Sequence, residues 1–254
     1  MRFRAAPVLL ALACWSCEDT QSLPPAAAVP VPHGPGDGVL FVGNSLTYGN
    51  DLPGLVQSLA AAVGRPVPTA MIAHPNFSLG DHLNHGDALR SIATGGWRVV
   101  VLQQGPTTLE DSRELLRKWT ASFDQRIRAV GARTALFSVW AESSRKAAFA
   151  DVAYSYSSAA QDVGGIYLPA TQAWLEAWAR DPLRPLYASD GFHPSPEGSY
   201  LAALVIAGVL TGVSPAAMPA HVVRPNGTEV SFPEETATVL RSAAAAAIAS
   251  SARY

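Results

Sequence analysis

Short, unbroken apolar runs set between longer stretches of helical periodicity constrain this chain more than any other feature. Val39-Leu40-Phe41-Val42, bounded by glycines, and Arg98-Val99-Val100-Val101-Leu102 are too short for helices. They also lack the alternation of a half-exposed strand, so they read as strands buried on both faces. Between them, Leu52, Leu55, Val56, Leu59, Ala62 and Val63 recur at helical spacing. Asn50 or Asp51 can cap that helix, Pro53 fits its first turn and Gly64 ends it. Val67 to Ala73 reads as a second strand, followed by a loop to Gly80 and a helix around His82 to Ile92. Leu109 to Val130 reads as a long amphipathic helix, Thr134 to Trp140 as a fourth strand, Ser144 to Asp162 as a helix and Gly165 to Leu168 as a fifth strand. Strands alternating with helices imply βαβ crossovers and a parallel sheet with helices on both faces. The expected fold class is therefore α/β: a three-layer α/β/α domain with a five-stranded parallel sheet in the order 2-1-3-4-5.

Two further helices follow from capping signals. Ser195 is a candidate N-cap, Pro196 occupies the first helical position, and Tyr200 to Leu210 is apolar up to Gly212. Ser231-Phe232-Pro233-Glu234 has a capping-box pattern opening a helix through the alanines at 243 to 247, expected to cover the sheet or an edge. No internal repeat is present.

The 254 residues suit one sizeable domain, and 48% apolar against 15% charged residues suits a well-buried core. A net charge of −2 leaves no basic stripe, so nucleic acid is not an expected partner. Beyond the N-terminus no apolar run reaches the ~20 residues of a membrane span. The N-terminus itself reads as an export signal: Arg2 and Arg4 precede a short apolar segment from Ala5 to Ala13. Cys14 and Cys17 close that segment and resemble a bacterial lipoprotein signal, whose cysteine is lipidated after cleavage; ordinary secretion is the other reading. Residues 18–37 hold Pro24, Pro25, Pro30, Pro32 and Pro35 and read as a semi-rigid tether. The expected organisation is a signal peptide over 1–17, the tether over 18–37 and a folded domain over 38–254. The protein is then exported, as a membrane-anchored lipoprotein or in secreted or periplasmic form. No cysteine follows position 17, so the domain has no internal disulfide and its stability comes from packing.

Two separated segments carry chemistry. Ser45 follows the opening strand directly, which in a parallel sheet is the carboxyl end where ligands bind. A polar loop serine or a helix cap explains it equally well taken alone, and it does not lie in a Gly-x-Ser-x-Gly elbow. Asp190-Gly191-Phe192-His193 places a carboxylate and an imidazole within one turn, so Asp190 can take a proton from one ring nitrogen and leave the other for Ser45. Pro194 discourages His193 from joining a helix. A serine hydroxyl needs an adjacent base, and that base an orienting carboxylate, so these groups together are what a serine esterase requires. A surface turn is the plain alternative for the tetrapeptide.

Other polar residues carry less. His82-x-x-His85 with Asp81 and Asp87 has no evident third strong ligand, and catalytic Zn²⁺ usually has three, so no metal and no organic cofactor is expected. Asn44, His74 at the end of the second strand, and Trp140 with Glu142 after the fourth are candidates to line a substrate cleft. Trp97, Trp119, Trp174 and Trp178 are packing residues by their size and position. Asn226-Gly227-Thr228 fits a glycosylation sequon but reads as a turn.

Together these segments resemble the SGNH/GDSL hydrolase superfamily of esterases and lipases over about residues 38 to 212. Gly43-Asn44-Ser45-Leu46-Thr47 looks like its Gly-Asp-Ser-Leu block with Asn in place of Asp, and Asp190-Gly191-Phe192-His193-Pro194 matches its Asp-x-x-His block. Phe77-Ser78-Leu79-Gly80 falls where the family places an oxyanion glycine. The third block departs: the family usually carries Gly-x-Asn-Asp, and this chain has Leu102-Gln103-Gln104-Gly105-Pro106. The resemblance implies carboxylic ester hydrolysis through an acyl-serine, with Ser45 as nucleophile, His193 as base and Asp190 as its orienting acid. The N–H groups of Ser45 and Gly80, with Gln103 or Gln104, would hold the oxyanion. Substrates allowed by the resemblance are acetylated polysaccharide, lipid acyl esters or small esters, and a lipoprotein-like tether favours deacetylation of an extracellular glycan. A non-catalytic carbohydrate-binding surface lipoprotein on the same scaffold is the alternative, and a metal-dependent hydrolase using His82 and His85 a third reading.

Overall fold

In the computed structural model, which describes residues 36–251, β1 (Gly38–Gly43) is buried along its whole length. The proposed signal peptide with Cys14 and Cys17, and nearly all of the tether, lie outside the described residues. From β1 the chain passes through a one-turn helix α1 (Ser45–Tyr48) into α2 (Leu52–Ala62), β2 (Thr69–Ala73), α3 (Leu79–His85) and α4 (Asp87–Ala93). β3 (Trp97–Leu102), α5 (Glu110–Ala129), β4 (Arg133–Phe137), α6 (Phe149–Asp162) and β5 (Ile166–Leu168) complete the sheet and its crossovers. Then follow α7 (Ala170–Arg180), α8 (Pro196–Thr211), a hairpin of β6 (His221–Val223) with β7 (Glu229–Ser231), and α9 (Glu234–Ser251).

The five strands are parallel in the flavodoxin-like order β2-β1-β3-β4-β5, with Phe41 opposite both Met71 and Val101. Helices flank both faces: α8 packs on α2, α7 and α9, and α5 on α3, α4 and α6. Strand order reverses between β1 and β3, so the crevice outside the carboxyl ends of these two strands is where such folds bind ligands. Ser45 follows one of these ends, and Gln103 and Gln104 the other.

Several local expectations change. The helix expected over His82–Ile92 begins at Leu79 and breaks at Gly86, whose φ of +80° ends α3 and starts α4. Strand β4 stops at Phe137: the Ser138 N–H makes the last ladder bond, to Leu168 O, and the Ser138 Oγ donates to the same carbonyl. Residues 143–148 form a 3₁₀ turn, and α6 starts only at Phe149. Asp51 caps α2 through Gly54 N, while Asn50 does other work. Helix α7 was not anticipated, although Ala170, Ala173, Trp174 and Ala177 repeat at helical spacing and are all buried. Neither was the hairpin, whose turn holds Asn226 and Gly227. Ser231 ends β7, so the capping box does not form where the pattern suggested, and α9 covers α7 and α8 rather than the sheet.

Candidate active site

The site is assembled from three loops at the strands' carboxyl ends and the turn before α8. Ser45 opens α1, immediately after its N-cap Asn44, and is 9% exposed. Asn44 is a brace rather than a cleft-lining residue. Its Oδ1 accepts from Leu46 N (3.1 Å), its Nδ2 donates to Phe77 O (3.0 Å), and its N–H donates to Gln103 Oε1 (3.0 Å). Gln103 is saturated. Besides the Asn44 N–H, Oε1 accepts from the Thr47 hydroxyl at 2.7 Å, and Nε2 donates to Asn44 Oδ1 at 3.0 Å and to Gln104 O. A glutamine amide has two donors and two lone pairs, so none is left for an oxyanion. Gly43 must lack a side chain here, because a Cβ would fall 2.4 Å from both Gln103 Oε1 and Thr47 Oγ1.

Gln104 differs. Its Oε1 accepts from Leu79 N (3.2 Å) and its Nε2 donates to Thr107 Oγ1 (3.1 Å), which leaves one N–H uncommitted among the described residues. The buried Tyr156 hydroxyl fixes its backbone, donating to Gln104 O at 2.6 Å. Burial pushes the Tyr156 phenol well above its ordinary range, so it stays a donor. Gly80 occupies the first turn of α3, where helical N–H groups have no intrahelical acceptor, and a Cβ there would strike the Trp119 ring at 2.5 Å. Among the described residues, neither the Ser45 nor the Gly80 N–H has a protein acceptor.

The far end of the chain reaches the same rim. His193 Nε2 lies 2.9 Å from Ser45 Oγ, and His193 Nδ1 lies 2.5 Å from Asp190 Oδ2. The other carboxylate oxygen accepts from Phe192 N and His193 N, each at 2.9 Å. Because an ionised carboxylate only accepts, Nδ1 carries the proton and Nε2 presents its lone pair to the serine. The His193 hydrogen bond, followed by that of the Phe192 N–H, holds the Asp190 carboxyl down to about 2. Both side chains are open to solvent, 41% and 47% exposed.

Backbone contacts hold that exposed turn in place. Ala188 N donates to His193 O, Ser143 N to Gly191 O and Ser195 N to Leu186 O, each at 2.8 Å. Gly191 has a φ of +69°, and a Cβ on it would meet Ser143 Oγ at 2.4 Å. Trp140 lies under the turn, fully buried, donating from its indole to Phe192 O at 2.9 Å and stacking on Trp174 with centroids 4.0 Å apart. It supports the turn and does not line a cleft. Asn50, weighed in the sequence only as a cap, links the two halves. It adopts a left-handed φ of +52° and its amide donates to Pro194 O (3.0 Å) and Ser199 Oγ (2.9 Å). No spacing rule could reveal those partners. Glu142 is exposed and precedes the 3₁₀ turn beside Gly191; burial, then its charge, raises the Tyr187 phenol pKa. His74 bonds to Asp87 at 2.6 Å and packs at a tilt against Phe77, and it makes no hydrogen bond to Ser45 or His193 among the described residues.

No protein-family model and no curated sequence matches this chain. Solved structures do match its architecture. A protein from Slackia heliotrinireducens, provisionally classed as an SGNH hydrolase, superposes with a TM-score of 0.59 at 26% identity, covering 69% of this chain and 99% of its own. A DUF4886 family protein from Bacteroides uniformis gives 0.64 at 18% identity, over 84% and 94% of the two chains. A catalytic mutant of an acetylxylan esterase from Geobacillus stearothermophilus gives 0.51 at 14% identity, over 70% and 94%. The chain has the SGNH/GDSL-like fold.

Proposed function

We propose that this protein is a serine hydrolase that cleaves carboxylic esters through an acyl-serine intermediate. The observation that carries the reading is the continuous Asp190–His193–Ser45 hydrogen-bond chain, closed between residues 148 positions apart. As Ser45 Oγ attacks the carbonyl carbon, His193 Nε2 takes its proton, and the new imidazolium is stabilised by Asp190. The tetrahedral intermediate collapses with cleavage of the ester C–O bond, and the imidazolium returns the proton to the departing alcohol. Water, deprotonated by the same imidazole, then releases the acid and regenerates Ser45. The oxyanion is held by the free N–H groups of Ser45 and Gly80, with the uncommitted Gln104 N–H as the side-chain donor in place of the family's asparagine. Preorganised donors of this kind are worth about 3 kcal/mol each in characterised hydrolases.

Within that class we favour O-deacetylation of an extracellular glycan. The open imidazole and carboxylate leave room for a bulky alcohol portion, and one structural neighbour is an acetylxylan esterase. The leader sequence supports an exported, lipid-anchored or secreted protein. Hydrolysis of p-nitrophenyl esters of increasing acyl length tests both levels. The account expects turnover of acetate that falls with chain length and is lost in Ser45→Ala. Preference for long chains refutes the glycan assignment, and undiminished turnover by Ser45→Ala refutes the serine mechanism. Glycan binding by a folded protein inert to every ester would instead support the non-catalytic alternative.

A further inference from the structure

The loop after β2 and the α3–α4 corner gather three histidines and a carboxylate that have no part in the chemistry above. His74 follows β2, His82 and His85 lie on α3, and Asp87 opens α4 beyond the Gly86 break. One Asp87 oxygen lies 2.6 Å from His74 Nε2, and the other 3.1 Å from His85 Nδ1. Donor atoms of His74, His82 and Asp87 all fall within 4.8 Å of one another. In sequence only His82 and His85 formed a recognisable pair with Asp81 and Asp87. Folding supplies His74 as the third strong ligand and removes Asp81, which is committed to the Ser78 cap of α3.

His82 provides the second, independent observation. It is fully buried, and its Nε2 lies 2.8 Å from Gly43 O. A carbonyl only accepts, so Nε2 holds the proton and Nδ1 keeps its lone pair. Among the described residues that Nδ1 is buried without a partner, and a buried polar atom in this state calls for a missing water or ion. A ligating histidine almost always donates its other ring N–H to a carboxylate, a backbone carbonyl or water, which fixes the tautomer. The Gly43 carbonyl fills that role here, and His85 does the corresponding work for the Asp87 carboxylate.

We propose that His74, His82 and Asp87 bind a divalent transition-metal ion, with zinc the best match to two imidazoles and one carboxylate. Calcium and magnesium prefer all-oxygen shells and fit poorly. The ion takes the place of the proton between His74 and Asp87, so binding releases protons. Its remaining coordination position is filled by water, since His74 and Asp87 are partly open to solvent. Because Gly43 lies two residues before Ser45, the ion braces the nucleophile loop from behind and takes no part in bond cleavage.

The test uses the full chain without a histidine tag, with Cys14 and Cys17 replaced by serine so that thiols cannot contribute. Metal-free protein is titrated with Co²⁺ and then with Zn²⁺. The expected result is a visible cobalt spectrum of four-coordinate intensity that saturates at one equivalent and is displaced by Zn²⁺. Asp87→Asn and His74→Gln, both at partly exposed positions, each abolish the saturable signal while circular dichroism shows an intact fold. No saturable spectrum, or one that persists in both variants, overturns the site. Repeating the titration in Ser45→Ala separates this inference from the hydrolase reading, because metal binding is then measured in a protein that cannot form an acyl-serine.

Discussion

The segment around Asn44 and the turn around Asp190 position their side chains in opposite ways. After β1, side-chain amides do the work: Asn44, Thr47 and Gln103 are buried and satisfy one another, and Ser45 is carried on top of that network. Before α8, Asp190 and His193 stand half in solvent, and their place is fixed mainly by backbone hydrogen bonds and by Trp140 beneath. The proposed nucleophile must not wander, and it sits on a cooperative polar core in which every partner is needed. The proposed acid–base pair must meet a substrate, and it is exposed while the chain under it is fixed. The contrast predicts that damage on the first side costs stability and damage on the second costs turnover.

His193→Ala should have the largest effect, lowering kcat by about 10⁴- to 10⁶-fold, as loss of a base from a serine triad does, while the melting temperature barely moves. A large loss of stability would erase the contrast. Gln103→Leu should do the reverse. It strands the Asn44 N–H and the Thr47 hydroxyl in a buried place, while the Asn44 amide oxygen keeps Leu46 N, at about 1–3 kcal/mol for each unsatisfied group. Chemical denaturation should show a loss of about 3 kcal/mol in total, and an unchanged midpoint would show that the network is not the support claimed. Gln104→Leu separates the neighbours. If its free N–H meets the oxyanion, kcat falls by about 10²-fold with KM little changed, whereas a purely structural role would leave kcat per folded molecule intact.

Much of this site was legible because its parts are local in sequence. Ser45 follows an obvious buried strand, and Asp190 and His193 share one turn. Gly80 stood out only through the resemblance, and the structure adds why it must be glycine: Trp119 packs against it. The role of Gln103 was not legible, since its Asn44 and Thr47 partners lie 59 and 56 positions away and only folding brings them together. Trp140 was misplaced for a related reason. It stood at the end of an apparent strand and looked free to face a cleft, but β4 stops at Phe137 and Trp140 stacks on Trp174 of α7, a helix absent from the expected elements. The sheet's strands were legible because buried parallel strands declare themselves as continuous apolar runs. The Gly86 break and the short hairpin left local signals, a helix-ending glycine and the Asn226-Gly227 turn, but the segments flanking them are too short to declare their type, and the 3₁₀ turn left none.

Two smaller effects sharpen the comparison further. Asn50→Ala removes the amide that ties the Ser45 side to Pro194 O and Ser199 Oγ, and leaves a non-glycine residue at a left-handed φ. It should cost about 1–2 kcal/mol in stability and, by loosening the serine–histidine contact, lower kcat more than it raises KM. Acid should have the mildest effect. Asp190 is held at about 2, below the ordinary 3.8. Its stabilising contribution is therefore complete above about pH 4 and fades as pH falls through about 2. Solvent exposure keeps that contribution small, so the melting temperatures of wild type and Asp190→Asn should differ slightly near neutrality and converge in strong acid. A difference that widens on acidification would reverse the assigned sign.

Reaction with a fluorophosphonate, followed by mass-spectrometric mapping of the modified residue, tests the central claim most directly. The account predicts a single adduct on Ser45 in the wild-type protein and none in folded Ser45→Ala or His193→Ala. An adduct on any other residue, or a folded wild-type protein that takes no label, would contradict it.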